Sequence, residues 1–297
     1  MNKARLVRIA TYASVVIASL LLLLKFYAWW YTSSVSILAS LLDSAIDIAA
    51  SIMIVIAVQI AQTPADREHR FGHGNAEPLA ALAQSIFIAG SAIYLIIFSI
   101  ERFIYPHAIT SPDLGLIVMI ISLLVTLGLL SFQRYVIQKT QSTAIKSDSL
   151  HYLSDVLANI LVIISLWLSA IEWLDPLLGL GIAAWIFYSA IQIAIEAGNQ
   201  LLDHELPKPM REEIKQITLT TSHVRGMNDL RSYQSGPNKF VQFDLELDDN
   251  LTLLESHKIT ENVTQRLKAK FADLDVMIHQ EPASLKNDPS HHKWGKH

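Results

Sequence analysis

Six long stretches of this chain contain almost no charged residues, and this pattern constrains the fold more than any other feature. The stretches run over residues 9–24, 34–62, 78–100, 114–133, 147–171 and 176–195. A helix needs about 20 mostly apolar residues to cross the ~30 Å hydrocarbon core of a membrane. The second and fifth stretches reach this length only when their Asp and His residues are admitted. The sequence therefore predicts six transmembrane helices.

The composition supports a membrane domain followed by a soluble one. Charged residues make up only 17% of the chain and are concentrated after residue 202, whereas soluble domains average about 25%. We expect a six-span transmembrane domain over 1–205, a second folded domain over 206–285 and a disordered tail over 286–297. The net charge of −4 gives no indication of nucleic-acid binding, and the absence of Cys excludes thiolate metal ligands.

The distribution of Lys and Arg between the predicted spans indicates the orientation. One side of the membrane has Lys3, Arg5, Arg8, Arg67, Arg70, Arg134, Lys139 and Lys146, and the other side has only Arg102. Loops rich in Lys and Arg face the cytoplasm. Both termini are therefore predicted to be cytoplasmic in a multi-pass protein of the cytoplasmic membrane.

The region after the spans is predicted to be a small α+β domain. Helices are expected over residues 210–221 and 253–271, and strands over 224–234, 240–247 and 275–280. The second strand alternates apolar and polar residues, as a strand with one buried face does. The resulting αββαβ order predicts a compact sheet with helices on one face.

Two pairs of potential metal ligands interrupt the apolar stretches. Asp43 and Asp47 lie one helical turn apart in the second span, and His151 and Asp155 repeat this spacing in the fifth. Carboxylates in hydrocarbon need a cation or a polar cavity. Three carboxylates and one imidazole form a ligand set of the kind that zinc and similar divalent ions accept. The alternative is a structural polar cluster, for which Lys25 is the one candidate counter-charge in these spans.

Two further groups of ligand-type residues lie outside the spans. Asp66, His69 and His73 occupy the loop between the second and third spans, where they either chelate an ion or are simply solvated. The second group is in the soluble domain and consists of Asp244, His257, His279 and Glu281. His279 and Glu281 share one face of a strand. The alternative for this group is ordinary surface histidine and carboxylate.

These motifs resemble those of the cation diffusion facilitators, in particular the bacterial zinc and iron efflux branch. The resemblance rests on segments such as PADREHRFGHGNAEPLAALAQS, SDSLHYLSD, DLRSYQSGPNKFVQFDLEL and MIHQEPAS, and it covers nearly the whole chain. It implies a homodimer in the bacterial inner membrane, with six spans per subunit and a ferredoxin-like metal-binding domain in the cytoplasm. It also implies a transport site and a loop site, formed by Asp43, Asp47, His151 and Asp155 and by Asp66, His69 and His73, respectively.

The chain departs from close relatives at several informative positions. Asn75 replaces a lysine that the resemblance pairs with an aspartate at the position of Asp203. Asn228 and Asp244 stand where close relatives have histidine, and Glu281 replaces aspartate. Because an Asn carbonyl is a poor zinc ligand beside His, we expect one metal ion or fewer in this domain, rather than two.

Together these observations predict a divalent cation/proton antiporter that exports Zn²⁺, and Fe²⁺ or Cd²⁺, from the cytoplasm through the lipid bilayer. The chain is not expected to be an enzyme. A membrane-embedded metalloenzyme would need an open metal position and a general base, and the spans contain no HExxH motif. A metal sensor without transport would use the same ligands and remains an alternative.

Overall fold

The computed structural model describes residues 3–32, 35–104, 113–167 and 174–287, and it divides into two compact units between Gly198 and Asn199. The first unit consists of six long helices: α1 (Lys3–Thr32), α2 (Val35–Ala61), α3 (Ala76–Ile104), α4 (Asp113–Thr140), α5 (Thr143–Trp167) and α6 (Leu174–Leu201). Five of them, α1 to α4 and α6, contain segments long and apolar enough to cross a membrane. The prediction of a helical membrane domain is confirmed.

Small and branched apolar residues hold the six helices together. One buried cluster joins α1, α2 and α5 through residues such as Ala10, Ile54 and Ala144, and another joins α3 to α6 through Ala89 and Ala190. Small residues allow helix backbones to approach closely where lipid provides no hydrophobic driving force. Large apolar side chains on the outer faces remain exposed, as expected of surfaces that face lipid.

A buried carboxylate ties the start of α3 to the start of α5. Glu77, the second residue of α3, is 7% exposed and accepts a hydrogen bond from the Ser142 hydroxyl. It also accepts from the backbone N–H groups of Thr143 and Ala144, which open α5. Ser142 itself accepts from the backbone N–H of Ile145, at 3.3 Å. The free N–H groups at the N-terminus of α5 are therefore capped both by Glu77 of α3 and by Ser142, the residue that precedes α5.

The second unit has the predicted αββαβ order. It contains α7 (Lys208–Leu219), β1 (Val224–Ser235), β2 (Asn238–Leu247), α8 (Leu253–Lys270) and β3 (Leu274–Pro282), followed by a 3₁₀ turn (Ala283–Asn287). The sheet order is β1-β2-β3, with β1 and β2 antiparallel and β2 and β3 parallel. The α+β class is thus confirmed. The predicted tail lies outside the described residues from 288 onward.

The core of this unit lies on one face of the sheet. Alternate β2 residues from Val241 to Leu247 are buried together with Ile214 of α7 and with Val263 and Leu267 of α8. The opposite face carries polar residues. α8 begins with a capping box in which Thr252 Oγ1 accepts from the Glu255 backbone N–H and the Glu255 carboxylate accepts from that of Thr252.

Candidate metal sites

The helical unit brings Asp47 of α2 together with His151 and Asp155 of α5. One ligand atom from each of the three lies within 4.8 Å of the other two. The closest contact joins His151 Nε2 and Asp47 Oδ1, at 3.1 Å. Asp43 lies on α2 one turn before Asp47, but its side chain is outside the part of the chain that the structure describes. The two helices that carry the predicted ligands, α2 and α5, therefore meet at these residues.

The His151 ring is held by its neighbours. It is only 6% exposed, and the rings of Phe87 and Tyr152 lie against it with centroids at 6.4 and 5.6 Å. The Tyr152 hydroxyl is hydrogen-bonded to Ser51 Oγ, at 2.8 Å, and donates to the Ser14 backbone carbonyl, at 3.3 Å. The imidazole is therefore oriented by packing and by a hydrogen-bonded neighbour, as is typical of residues that must present one nitrogen to a ligand.

Near the C-terminal end of α1, the Lys25 ammonium group donates a hydrogen bond to Ser44 Oγ of α2, at 2.7 Å. Ser44 is one residue from Asp43 and three from Asp47. A cation therefore lies between α1 and α2 next to the segment that carries both aspartates. It is one positive charge, whereas the predicted ligand set has three carboxylates.

The loop group is formed by residues close together in the sequence, between Asp66 and His73. Asp66 Oδ1 is 3.4 Å from His69 Nδ1, and Asp66 Oδ2 is 3.4 Å from His73 Nε2. The two imidazole rings are 4.4 Å apart. Asp66 and His69 are exposed, whereas His73 is 15% exposed and its Nδ1 is buried without a hydrogen-bond partner. All three predicted residues are therefore brought together at the surface.

Backbone N–H groups of the loop hold the Asp66 carboxylate in place. The carboxylate accepts hydrogen bonds from the backbone N–H groups of His69, at 2.6 Å, and Glu68, at 2.8 Å. These bonds, that of His69 first, lower the pKa of Asp66 below its ordinary value of 3.8. Gly72 follows with φ +85°, a conformation that favours glycine. The loop backbone therefore favours the ionised form of the Asp66 carboxylate and fixes its position.

The third group lies on the polar face of the sheet. Asp244 of β2 is in register with His279 of β3, and Asp244 Oδ1 is 3.3 Å from His279 Nδ1. Glu281, two residues along β3 on the same face, has an oxygen 3.6 Å from that nitrogen. His257 is exposed on α8 and does not belong to this group. Of the four predicted residues, the structure brings together three.

Glu246 is a neighbouring residue that the sequence analysis did not select. It is in register with Glu281 and is 1% exposed, and its Oε1 accepts a hydrogen bond from the Asn228 side-chain amide. A Cβ on Gly226 would lie 2.1 Å from Glu246 Oε2, so glycine makes room for the carboxylate. The polar alternation of β2 placed Glu246 on this face, but local spacing gave no sign of its burial.

Comparisons with known proteins agree with this architecture. The cation efflux transmembrane domain matches residues 11–202, and the cytoplasmic domain of cation efflux proteins matches residues 206–283. The chain is 48% identical to the cation-efflux pump FieF of Citrobacter koseri and 47% identical to that of Cronobacter sakazakii. In both cases the match covers 95% of this chain and 94% of the relative. The solved zinc form of CzrB is 25% identical over 28% of this chain and 94% of that chain, with a TM-score of 0.27.

The fold and the matches to cation-efflux proteins define a membrane transporter of metal cations rather than an enzyme. The chain belongs to the cation efflux family, the cation diffusion facilitators. Its helical unit is the transmembrane part, and the α+β unit is the cytoplasmic domain of the family.

Proposed function

We propose that this protein exports Zn²⁺ from the cytoplasm in exchange for protons, and that Fe²⁺ and Cd²⁺ are further substrates. The observation that carries the proposal is the group formed by Asp47, His151 and Asp155 between two helices of the membrane unit. A divalent cation crossing the bilayer must exchange its water for ligands at such a point. Relatives that match along nearly the whole chain are named cation-efflux pumps.

The choice of metal follows from the donor atoms. Asp43 would complete a set of three carboxylates and one imidazole. Oxygen and imidazole donors suit Zn²⁺ and Fe²⁺, and without thiolates the set does not favour Cu⁺. A set with a single imidazole should discriminate only weakly between Zn²⁺ and Fe²⁺.

The exchange with protons follows from charge. Metal ligands are deprotonated, so metal binding releases protons from these residues. After the metal has left, the empty site would hold up to three carboxylates in a poorly solvated environment. Burial and mutual repulsion both favour their protonated forms. The return step would therefore carry protons inward on the residues that carried the metal outward.

The remaining groups are proposed as accessory sites. Asp66, His69 and His73 would bind Zn²⁺ at the cytoplasmic surface, and Asp244, His279 and Glu281 would bind at most one ion in the cytoplasmic domain. The excess of Lys and Arg on one side supports an inner-membrane protein with both termini in the cytoplasm. A homodimer is proposed from the family of the cytoplasmic domain.

Reconstitution of the purified protein into sealed vesicles tests the proposal. Uptake of Zn²⁺, Fe²⁺, Cd²⁺, Mg²⁺ and Ca²⁺ would be measured with an internal metal indicator, together with an internal pH dye. Zn²⁺ uptake accompanied by outward proton movement is expected, with slower or no uptake of Mg²⁺ and Ca²⁺. Zinc binding without flux would indicate a sensor, and flux with no proton movement between about pH 6 and 8, around the free His pKa, would indicate a uniporter.

A further inference from the structure

Asp148 of α5 is a fully buried carboxyl group that the transport chemistry above does not use. It is 0% exposed and lies three residues before His151. Its Oδ2 accepts hydrogen bonds from Ser14 Oγ of α1, at 2.6 Å, and from Gln133 Nε2 of α4, at 2.7 Å. Both donors are neutral. A buried carboxylate without a cationic partner is costly, and the neutral acid avoids most of that cost.

The atoms around Asp148 are incompletely paired. Asp148 Oδ1, Gln133 Oε1 and both amide atoms of Gln84 are buried without a hydrogen-bond partner. The Gln84 side chain lies beside the Asp148 carboxyl group. Such orphaned groups are rare in folded proteins and call for an explanation. A proton on Oδ1 would pair this atom with a Gln oxygen while Oδ2 keeps both of its donors, whereas an ionised Oδ1 would need the Gln84 N–H as its donor.

The surroundings of Asp148 explain how a proton there would respond to the metal. The facing groups on α1, α3 and α4 are Ser14, Gln84 and Gln133, all of them neutral, and its titratable neighbours are His151 and Tyr152 of its own helix. Among the described residues, no Lys or Arg pairs with it. Its hydrogen bonds avoid the proposed ligands, since His151 Nε2 faces Asp47 instead.

We propose that Asp148 is a proton-binding residue, distinct from the metal ligands, that gives up its proton when the transport site takes up a metal ion. Burial favours the neutral acid, and positive charge at His151 favours the carboxylate. A divalent cation bound at His151 adds such positive charge, which the empty site lacks. Asp148 then changes from carboxylic acid to carboxylate, and its proton passes to water on the side to which the site is open. The inference rests on the proposed metal site, and it adds a proton carrier that metal coordination does not occupy.

Counting the protons released on zinc binding tests this proposal. The full-length protein would be titrated with Zn²⁺ in buffers of different ionisation enthalpy, with the accessory sites removed by His69→Ala and His279→Ala. Asp148→Asn, which can keep the Ser14 bond and offer an N–H to Gln84, should release up to about one proton fewer per zinc. Its zinc affinity should also depend less steeply on pH.

Glu101→Gln provides the matched control. It removes an exposed carboxylate near the C-terminal end of α3, far along the helix from Gln84, and should leave proton release unchanged. Equal proton release by Asp148→Asn and the parent protein would overturn the proposal. Zinc flux in vesicles is a separate measurement. Loss of flux with normal proton release from Asp148 would reject the proposed transport function and leave this inference standing.

Infrared difference spectroscopy decides the matter if Asp148→Asn does not fold or bind zinc. In the protein that retains Asp148, zinc should remove a carbonyl stretch of a protonated carboxylic acid. Gln84→Leu should shift the frequency of that band, because it removes the amide beside the acid. A band that zinc leaves unchanged, or that Gln84→Leu does not move, would overturn the proposal.

Discussion

The acid–histidine group of the membrane helices and that of the loop between α2 and α3 use the same types of side chain in opposite environments. Asp47 and His151 are 104 residues apart in sequence and meet between two helices, where His151 is almost fully buried. Asp66 and His73 lie close together in the sequence, in one loop, and Asp66 is exposed. In the loop, backbone N–H groups and water stabilise the carboxylate. Between the membrane helices little water is available to stabilise charge, so we expect a metal ion or protons to balance the carboxylates.

This difference indicates separate roles for the two groups. A surface site exchanges its ion with solvent and can assemble without the rest of the fold. A site between two helices forms only when both are in place, and its occupancy and proton content are linked by the cost of buried charge. Under the proposed function, we therefore expect the loop group to capture the ion and the group between the helices to couple its transport to protons.

The largest expected effect comes from removing a ligand between the helices. Asp47→Ala should lower zinc flux in vesicles by at least about 100-fold, since even changes behind a ligand cost 10–100-fold at metal sites. Insertion and folding should be retained, because the side chain is only partly buried. Glu101→Gln is the control for loss of a carboxylate. Normal flux through a correctly inserted Asp47→Ala protein would disprove the site.

Removing a loop ligand should have a smaller effect on transport. His73→Ala should weaken zinc binding at the loop by at least about tenfold and slow flux without abolishing it, because the site between the helices is intact. Glu68→Gln, which removes a neighbouring carboxylate outside the ligand group, is the matched control. Loss of flux as complete as that of Asp47→Ala would show that the two regions act as one site.

Lowering the pH should release zinc from Asp66, His69 and His73 before it disrupts the backbone turn that the Asp66 carboxylate holds. Zinc binding there should be lost first as the pH falls, because the ligands take up protons in competition with the metal. The lowered pKa of Asp66 has the opposite consequence for the turn. Its stabilising effect is fully present above pH 3.8 and is lost only as the pH falls through the lower folded value. Backbone amide NMR signals of Glu68 and His69 would record both steps, and their simultaneous loss would contradict this order.

The sheet site should bind about one zinc ion per subunit or fewer, because a single imidazole is present and the Asn228 amide is engaged by Glu246. His279→Ala should abolish this binding and change flux least among the ligand variants. Calorimetry would be done on a chain without the other ligand groups and without residues 286–297. Asn228→His combined with Asp244→His should strengthen binding. Two tight sites in the unmodified sheet would contradict the prediction.

The smallest effect concerns stability alone. Thr252→Ala removes the N-cap of α8 and should destabilise the cytoplasmic domain by about 1 kcal/mol, with no change in zinc flux at moderate temperature. Thermal unfolding followed by circular dichroism would measure the loss of stability, and zinc uptake by vesicles would measure the flux. Thr264→Ala, an exchange within the body of α8, is the comparison. A parallel loss of flux would show that transport depends on the stability of this domain.

Local patterns in the sequence account for much of the fold. The second apolar stretch, over residues 34–62, differs from α2 by one residue at each end. The alternation of apolar and polar residues correctly identified the buried face of β2. α4, however, continues to Thr140, beyond the apolar stretch that ended at Gln133, because hydropathy marks the lipid-exposed part of a helix rather than its end. The ligand groups stay predictions as binding sites, although three sets of their side chains do meet.

Residues whose role depends on distant partners were missed. Glu246 looked like an ordinary polar residue of an alternating strand, yet it is buried against Asn228 and Gly226. Asp148 lay close to the His151 motif, but only the arrangement of α1 and α4 surrounds it with neutral amides and hydroxyls. Periodicity describes what a residue shares with its own helix or strand. It carries no information about which other element will cover it.

The cap that Glu77 places on α5 has a consequence for biosynthesis. Ser142 follows Glu77 by 65 residues, so the third helix is synthesised well before the donors that satisfy its carboxylate. Until they emerge, moving Glu77 away from water would leave a carboxylate without hydrogen bonds, at considerable cost. We therefore expect the first turn of α3 to stay hydrated while α4 is inserted and to pack only after α5 has been synthesised. One side chain would thereby set an order of assembly for the bundle, in which the third helix waits for the fifth.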